Sequence, residues 1–133
     1  MQRETFMEER DTPMRSQTIL IIEDHTSVRM LLAQVLEEAG YQVCEAANGR
    51  EGLERFHAQR VDLVITDLEM PEMTGLEVIL ELTRAFLDVK VIAMSGRSLD
   101  DLSKAKLLGA RQTLVKPLDL PSLLHAVQYE LQH

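Results

Sequence analysis

Short apolar runs alternate along the chain with longer segments in which apolar residues recur every three or four positions. The run at 18–22 is apolar after its first threonine, which is typical of a strand buried on both faces of a parallel sheet. In the run at 42–46, apolar and polar residues alternate more, which predicts a strand nearer an edge of the sheet. In all, the pattern predicts β-strands at 18–22, 42–46, 61–66, 89–94 and 112–115.

The segments between these runs have the periodicity of amphipathic helices. The apolar stripe of the first helix ends at Gly40, a residue type that commonly terminates helices, and it consists of Val28, Leu31, Leu32, Val35 and Leu36. Capping patterns predict that three further helices begin after Asn48, Thr74 and Ser98. The last helix is expected from about Asp119, with Pro121 in its first turn, where proline is tolerated.

This alternation of five strands and five helices predicts an α/β fold of the (βα)5 type. Consecutive parallel strands joined by helices form a sheet covered by helices on both faces, and each crossover should be right-handed. Five strands make a doubly wound open parallel sheet rather than a closed barrel. Ligands of such sheets bind beyond the carboxyl ends of the strands, so functional residues are expected at that edge.

Composition narrows the functional classes. The chain has 133 residues, which fits one domain, and a formal net charge of −8, which disfavours direct binding to nucleic acid. No apolar run approaches the roughly 20 residues that span a bilayer, so no membrane insertion is expected. The single cysteine, Cys44, indicates a reducing compartment, and we expect a cytoplasmic protein.

The first segment, 1–16, mixes acidic and basic residues and lacks the apolar region of a secretory signal. We expect it to be a polar, flexible extension, followed by one domain at 17–133. Because the chain ends with the fifth helix, we expect a protein without an output module, although a piece of a longer regulator fits equally well.

Chemically useful side chains follow four of the predicted strands. They are Glu23 and Asp24 after the first strand, Asp67 after the third, Ser95 after the fourth and Lys116 after the fifth. Parallel strands should bring them to one rim of the sheet. Clustered carboxylates without cysteine suit Mg²⁺ or Mn²⁺, and a lysine and a hydroxyl beside them suit phosphoryl oxygens.

With these residues in this order, the sequence resembles a response-regulator receiver domain, the phosphoacceptor part of two-component signalling. The resemblance covers about 18–132 and rests on four motifs, which are Glu23-Asp24, the segment 67–75, Ser95-Gly96 and Lys116-Pro117. Each motif is weak alone, but together they match in order and in strand context. The resemblance implies a flavodoxin-like, CheY-like sheet with strand order 2-1-3-4-5.

The resemblance also implies roles for these residues. Asp67 would accept a phosphoryl group from a sensor histidine kinase or a histidine phosphotransfer protein. Lys116 and Ser95 would contact phosphoryl oxygens, and Pro117 would fix the turn at Lys116. Mg²⁺ would be held by Asp24, Asp67 and the backbone carbonyl of Glu69, with Glu23 acting through water. His25 is a poorer candidate ligand, since imidazole suits softer metals.

Three further positions bear on regulation. Thr113 stands where receivers usually have the aromatic ring that rotates on activation, so the usual coupling to output is in doubt. Glu69 and Arg97 match positions that tune dephosphorylation in the family. Their charges could pair across the mouth of the pocket or face solvent.

Two other functions remain open from the sequence. One is a Mg²⁺-dependent phosphohydrolase with an aspartyl nucleophile, although the chain has no substrate-binding cap. The other is a pseudo-receiver, an interaction module that is never phosphorylated. The favoured interpretation is a signalling protein, not an enzyme, that acts through contact with an unidentified downstream protein.

Overall fold

The computed structural model describes residues 16–97 and 99–133. Within them, five strands and five helices alternate: β1 Thr18–Ile22, α1 Thr26–Glu38, β2 Gln42–Ala46, α2 Gly49–Ala58, β3 Leu63–Asp67, α3 Gly75–Ala85, β4 Val91–Ser95, α4 Leu99–Leu108, β5 Gln112–Val115 and α5 Leu120–Gln132. All strand pairs are parallel, in the order β2-β1-β3-β4-β5. The predicted fold class and strand order are confirmed.

Two predicted strands begin too early, and both errors have the same cause. β3 starts at Leu63 rather than Val61, and β4 starts at Val91 rather than Val89. Leu63 lies opposite Ile19, so a strand residue at position 61 would extend past the start of β1. The same strands also continue one residue further than predicted, so that Asp67 and Ser95 are their last residues.

The core lies on both sides of the sheet. The three central strands β1, β3 and β4 are buried throughout, whereas β2 and β5 are only partly buried. The buried apolar residues form two clusters, one including Leu20 and Val64 and the other including Ile19 and Ile65. Neighbouring residues of one strand thus pack on opposite faces, as a helix-covered parallel sheet requires.

Side-chain caps define the starts of three helices. Asn48 accepts a hydrogen bond from the backbone N–H of Glu51, Thr74 and Glu77 form a complete capping box, and Asp119 accepts from Ser122 N. These caps satisfy backbone donors that have no partner within the helix. The predicted cap at Ser98 and most of the predicted extension at 1–16 lie outside the described residues. None of the helices in the described ranges is long and apolar enough to cross a membrane.

Candidate functional site

The carboxyl edge of the sheet brings together the side chains that follow its strands. Glu23 and Asp24 come directly after β1, Asp67 ends β3, Ser95 ends β4, and Lys116 follows β5. A cavity at this edge is lined by Asp24, Asp67 and Lys116, and also by Glu69 and Gly96 from the loops after β3 and β4. The parallel register produces this arrangement, because Asp67 lies opposite Met94, and Ser95 lies opposite Val115.

Lys116 connects two buried carboxylates. Its Nζ atom donates to Glu23 Oε1 at 2.8 Å and lies 3.1 Å from Asp67 Oδ1. The Glu23 side chain is completely buried, and Asp67 is 1% exposed. A buried anion needs a compensating charge, and Lys116 supplies it here for two anions at once.

Burial and neighbouring charge have opposite effects on these groups. Burial raises the pKa of Asp67, the negative charge of Glu23 raises it further, and the pKa reaches about 6 although Lys116 opposes the shift. Burial alone would raise the pKa of Glu23, but the hydrogen bonds from Lys116 and from His25 N hold it below its ordinary value. Burial likewise favours neutral Lys116, yet its bond to Glu23 and the charge of Asp67 keep its pKa raised.

Two carboxylate oxygens at this edge are placed where they could bind a cation. Asp24 Oδ1 and Asp67 Oδ1 are buried and accept no hydrogen bond of normal geometry. Together with Glu23 and His25 they belong to a group whose potential ligand atoms all lie within 4.8 Å of one another. A cation bound to these oxygens would reduce the cost of burying several carboxylates together, and the oxygen-rich set suits Mg²⁺.

Within this group, buried Glu23 contacts exposed His25. Glu23 Oε2 accepts a hydrogen bond from the backbone N–H of His25 and lies 3.2 Å from the His25 ring nitrogen Nδ1. The same Nδ1 atom is 3.4 Å from Asp24 Oδ1. Both oxygens of Glu23 therefore have hydrogen-bond partners, and direct binding of a cation by Glu23 would displace one of them.

Glu69 does not pair across the pocket mouth with Arg97, nor does it simply face solvent. Its carboxylate accepts a hydrogen bond from the Ser95 hydroxyl and another, at 3.1 Å, from the backbone N–H of Gly96. Arg97 is exposed, and its backbone N–H donates to Ser95 Oγ at 3.3 Å. Glu69 thus links the loop after β3 to the loop after β4.

Two backbone features shape the loops around Asp67 and Lys116. The Lys116-Pro117 peptide bond is cis, which the sequence alone could not establish. Gly75, the first residue of α3, packs directly on the backbone of the acceptor strand. A Cβ atom there would lie 2.2 Å from Asp67 O and 2.7 Å from Leu68 Cα, so only glycine fits.

Thr113 lies in the middle of β5 and is half-buried. It lines a surface groove between α4 and β5 together with Leu102 and three well-exposed apolar residues, which are Leu99, Leu107 and Val115. Among the residues at 16–97 and 99–133, no aromatic side chain lines this groove. The position expected to carry a rotating ring therefore carries a small side chain beside an apolar surface.

Sequence reasoning missed three contacts of the site. The Gly96 amide donates to Glu69, Arg29 donates to the backbone carbonyl of Glu23 at 2.8 Å, and the backbone N–H of His25 donates to Glu23. Backbone N–H donors cannot be recognised from the type of residue that carries them. Arg29 could have been suspected, since it lies one turn into α1 after an acidic pair.

Comparison with known proteins agrees with this geometry. A family model described as the response regulator receiver domain matches residues 19–128. The chain is 34% identical over 116 residues to sporulation initiation phosphotransferase F of Bacillus subtilis, covering 86% of this chain and 94% of that protein. It is 33% identical over 111 residues to the chemotaxis protein CheY of Thermotoga maritima, covering 82% of this chain and 92% of that protein.

A solved structure has a similar fold. The response regulator TrrA of Thermotoga maritima, crystallised in complex with Mg²⁺ and BeF, superposes with a TM-score of 0.79 at 34% identity. The match covers 86% of this chain and 98% of that one. The chain therefore belongs to the response-regulator receiver family, the phosphoacceptor class of two-component signalling proteins.

Proposed function

We propose that Asp67 is the phosphoacceptor of this receiver domain. The observation that carries the proposal is the placement of Asp67, whose buried Oδ1 atom lies 3.1 Å from Lys116 Nζ and whose side chain lines the cavity at the carboxyl edge of the sheet. The carboxylate is ionised in most molecules at neutral pH, because its pKa of about 6 lies below 7.

The transfer step requires little acid–base chemistry from the protein. An Asp67 oxygen forms a bond to phosphorus as the phosphorus–nitrogen bond of a phosphohistidine breaks. The bonding electron pair stays on that nitrogen, and because the other ring nitrogen carries a proton, the histidine leaves as neutral imidazole. Lys116 is placed to bind an oxygen of the transferred group, and its positive charge offsets the added negative charge. The Ser95 hydroxyl is a second candidate donor to the phosphoryl group.

Mg²⁺ is the proposed cofactor, with Mn²⁺ as a substitute. Asp24, Asp67 and the backbone carbonyl of Glu69 would hold the ion directly, and Glu23 would act through water. When bound, the ion supplies positive charge that stabilises the transferring oxygens. The buried Oδ1 atoms of Asp24 and Asp67, which accept no hydrogen bond of normal geometry, support this assignment.

The proposed donor is a sensor histidine kinase or a histidine phosphotransfer protein, and the proposed output is contact with another protein. We further propose that the domain turns over only its own acyl phosphate and acts in the cytoplasm. With Thr113 in place of the usual ring, output would depend on movement of the loop after β4 and not on rotation of an aromatic side chain.

Acetyl phosphate and Mg²⁺, followed by intact-protein mass measurement, test the acceptor. The wild-type chain should gain one phosphoryl group, Asp67→Ala should gain none, and Asp88→Ala, which removes an exposed carboxylate elsewhere, should behave as wild type. A phosphoryl group that survives Asp67→Ala would remove Asp67 from this role.

The same preparation separates the two alternative functions. A pseudo-receiver would gain no phosphoryl mass from acetyl phosphate or from any kinase. A phosphohydrolase would release many equivalents of phosphate per protein from a phosphomonoester. The proposed function requires a single phosphoryl increment and no sustained turnover of such a substrate.

A further inference from the structure

The Glu69 carboxylate occupies the hydrogen-bond donors of the loop after β4. The Ser95 hydroxyl donates to one carboxylate oxygen, and the Gly96 amide donates to the other at 3.1 Å. Ser95 is 1% exposed and Glu69 is half-buried, so the bond between their side chains is largely shielded from water, whereas Gly96 is exposed. Shielding strengthens a hydrogen bond to a charged acceptor.

Each of these donors has one proton to give. A hydroxyl carries a single donor proton, and so does a backbone amide. The Ser95 oxygen already accepts a bond from the backbone N–H of Arg97, which leaves its proton directed at Glu69. A phosphoryl oxygen can therefore bind Ser95 or Gly96 only after Glu69 has released them.

The location of Glu69 makes this competition direct. Glu69 is two residues after Asp67, and its carboxylate lines the same cavity as Asp67 and Lys116. It is an anion with two acceptor oxygens, so it offers these donors the same chemistry as two oxygens of a phosphoryl group. Its negative charge also adds to the rise in the pKa of Asp67.

We propose that the Glu69 side chain is an internal competitor of the phosphoryl group. In the unphosphorylated chain it holds the Ser95-Gly96 loop against the site, and phosphorylation of Asp67 displaces it. The switch would then be an exchange of one anion for another on the same donors, with Glu69 released toward solvent. The competition rests on the proposed function, whereas the contact itself exists without it.

Two variants separate the reach of Glu69 from its charge. Glu69→Asp keeps the negative charge but shortens the side chain by one methylene, so the carboxylate can no longer reach both donors. Glu69→Ala removes both charge and reach. Glu72→Gln is the matched control, because Glu72 is an exposed acid in the same loop that does not line the cavity at Asp67.

The first readout is the rate of phosphorylation by acetyl phosphate with Mg²⁺, measured from intact mass over time. Glu69→Asp and Glu69→Ala should both accelerate phosphorylation by roughly fivefold or more, since each frees donors that were bonded to a charged group. Glu72→Gln should remain near the wild-type rate. If Glu69→Asp matches wild type while Glu69→Ala and Glu72→Gln are both faster, charge repulsion explains the effect and the competition is overturned.

The second readout does not depend on phosphorylation. In ¹⁵N-labelled, unphosphorylated chain, the Gly96 amide proton should shift upfield in Glu69→Ala and Glu69→Asp, because it loses a carboxylate acceptor. An unchanged Gly96 resonance would show that the contact is absent in solution and overturn the proposal. If no variant is phosphorylated, the proposed function fails and the competition with it, while the Gly96 shift still reports on the contact.

Discussion

Lys116 Nζ lies 2.8 Å from Glu23 Oε1, and the Glu23 side chain has no exposed surface. The two residues are 93 positions apart in sequence. The pair keeps a carboxylate ionised inside the protein, next to the carboxylate of Asp67. Removal of the Lys116–Glu23 pair should therefore lower the stability of the fold as well as the rate of phosphoryl transfer.

Lys116→Met should destabilise the metal-free protein by about 3 kcal/mol, because it leaves Glu23 buried without its partner. Urea unfolding in the presence of a chelator measures this loss, and added Mg²⁺ should restore part of it. Lys104→Met is the control, since Lys104 pairs with Asp100 on an exposed helix face and should cost less than about 0.5 kcal/mol. Equal losses for the two variants would show that the Lys116–Glu23 pair contributes nothing.

Asp67→Asn should stabilise the metal-free protein at high pH. The folded-state pKa of Asp67 is about 6, above its ordinary value of 3.8, so ionising Asp67 costs the folded state stability as the pH rises through this window. The neutral amide avoids that cost and should gain about 1–2 kcal/mol near pH 8, after allowance for its lost attraction to Lys116. The gain should disappear near pH 4, where Asp67 is protonated in the folded protein.

Urea unfolding at both pH values checks this dependence, with Asp88→Asn as the exposed control. A stabilisation that is the same at pH 4 and pH 8 would show that the amide acts through packing and not through the charge of Asp67.

Asp24→Asn should weaken Mg²⁺ binding by more than roughly tenfold, since even outer partners of metal ligands commonly contribute 10–100-fold. Calorimetric titration of wild type and variant measures the effect. Asp100→Asn removes an equal charge from an exposed position on α4 and should leave the affinity nearly unchanged. If the two variants bind Mg²⁺ equally well, Asp24 is not a ligand.

Gly75→Ala should be strongly destabilising, by about 3 kcal/mol or more, because the added methyl group would overlap the backbone of Asp67 and Leu68. Gly40→Ala should cost less, about 1–2 kcal/mol, since Gly40 has a positive φ of 102° but open space around it. Thermal unfolding ranks the two. A smaller loss at Gly75 than at Gly40 would mean that α3 can move away from the end of β3.

Much of the fold could be predicted because it depends on local patterns. The apolar run at Thr18–Ile22, the capping box at Thr74 and the N-cap at Asn48 each determine an element through neighbouring residues. The errors occur at Val61 and Val89, where a residue has strand propensity but its neighbouring strand has not yet begun. The position at which a strand begins or ends depends on pairing with another segment, and the propensity of single residues does not predict that pairing.

The candidate site, like the fold, could be predicted only in part from the sequence. Its charged residues could be identified because parallel strands deliver their carboxyl ends to one edge, so position along the chain predicts position in space. By itself, the sequence determined the fold class, the edge at which the chemistry lies, and the residue types available there.

Only the tertiary structure decided which partner each group has. It joined Glu69 to Ser95 and Gly96, placed Lys116 between Glu23 and Asp67, and left Asp24 Oδ1 without a donor. These contacts join segments that are far apart in sequence, and a hydrogen bond forms only when distance and direction are both met. The parallel arrangement of the strands brings the side chains at their carboxyl ends within several ångströms of one another. Packing of the loops then determines which atoms are in contact.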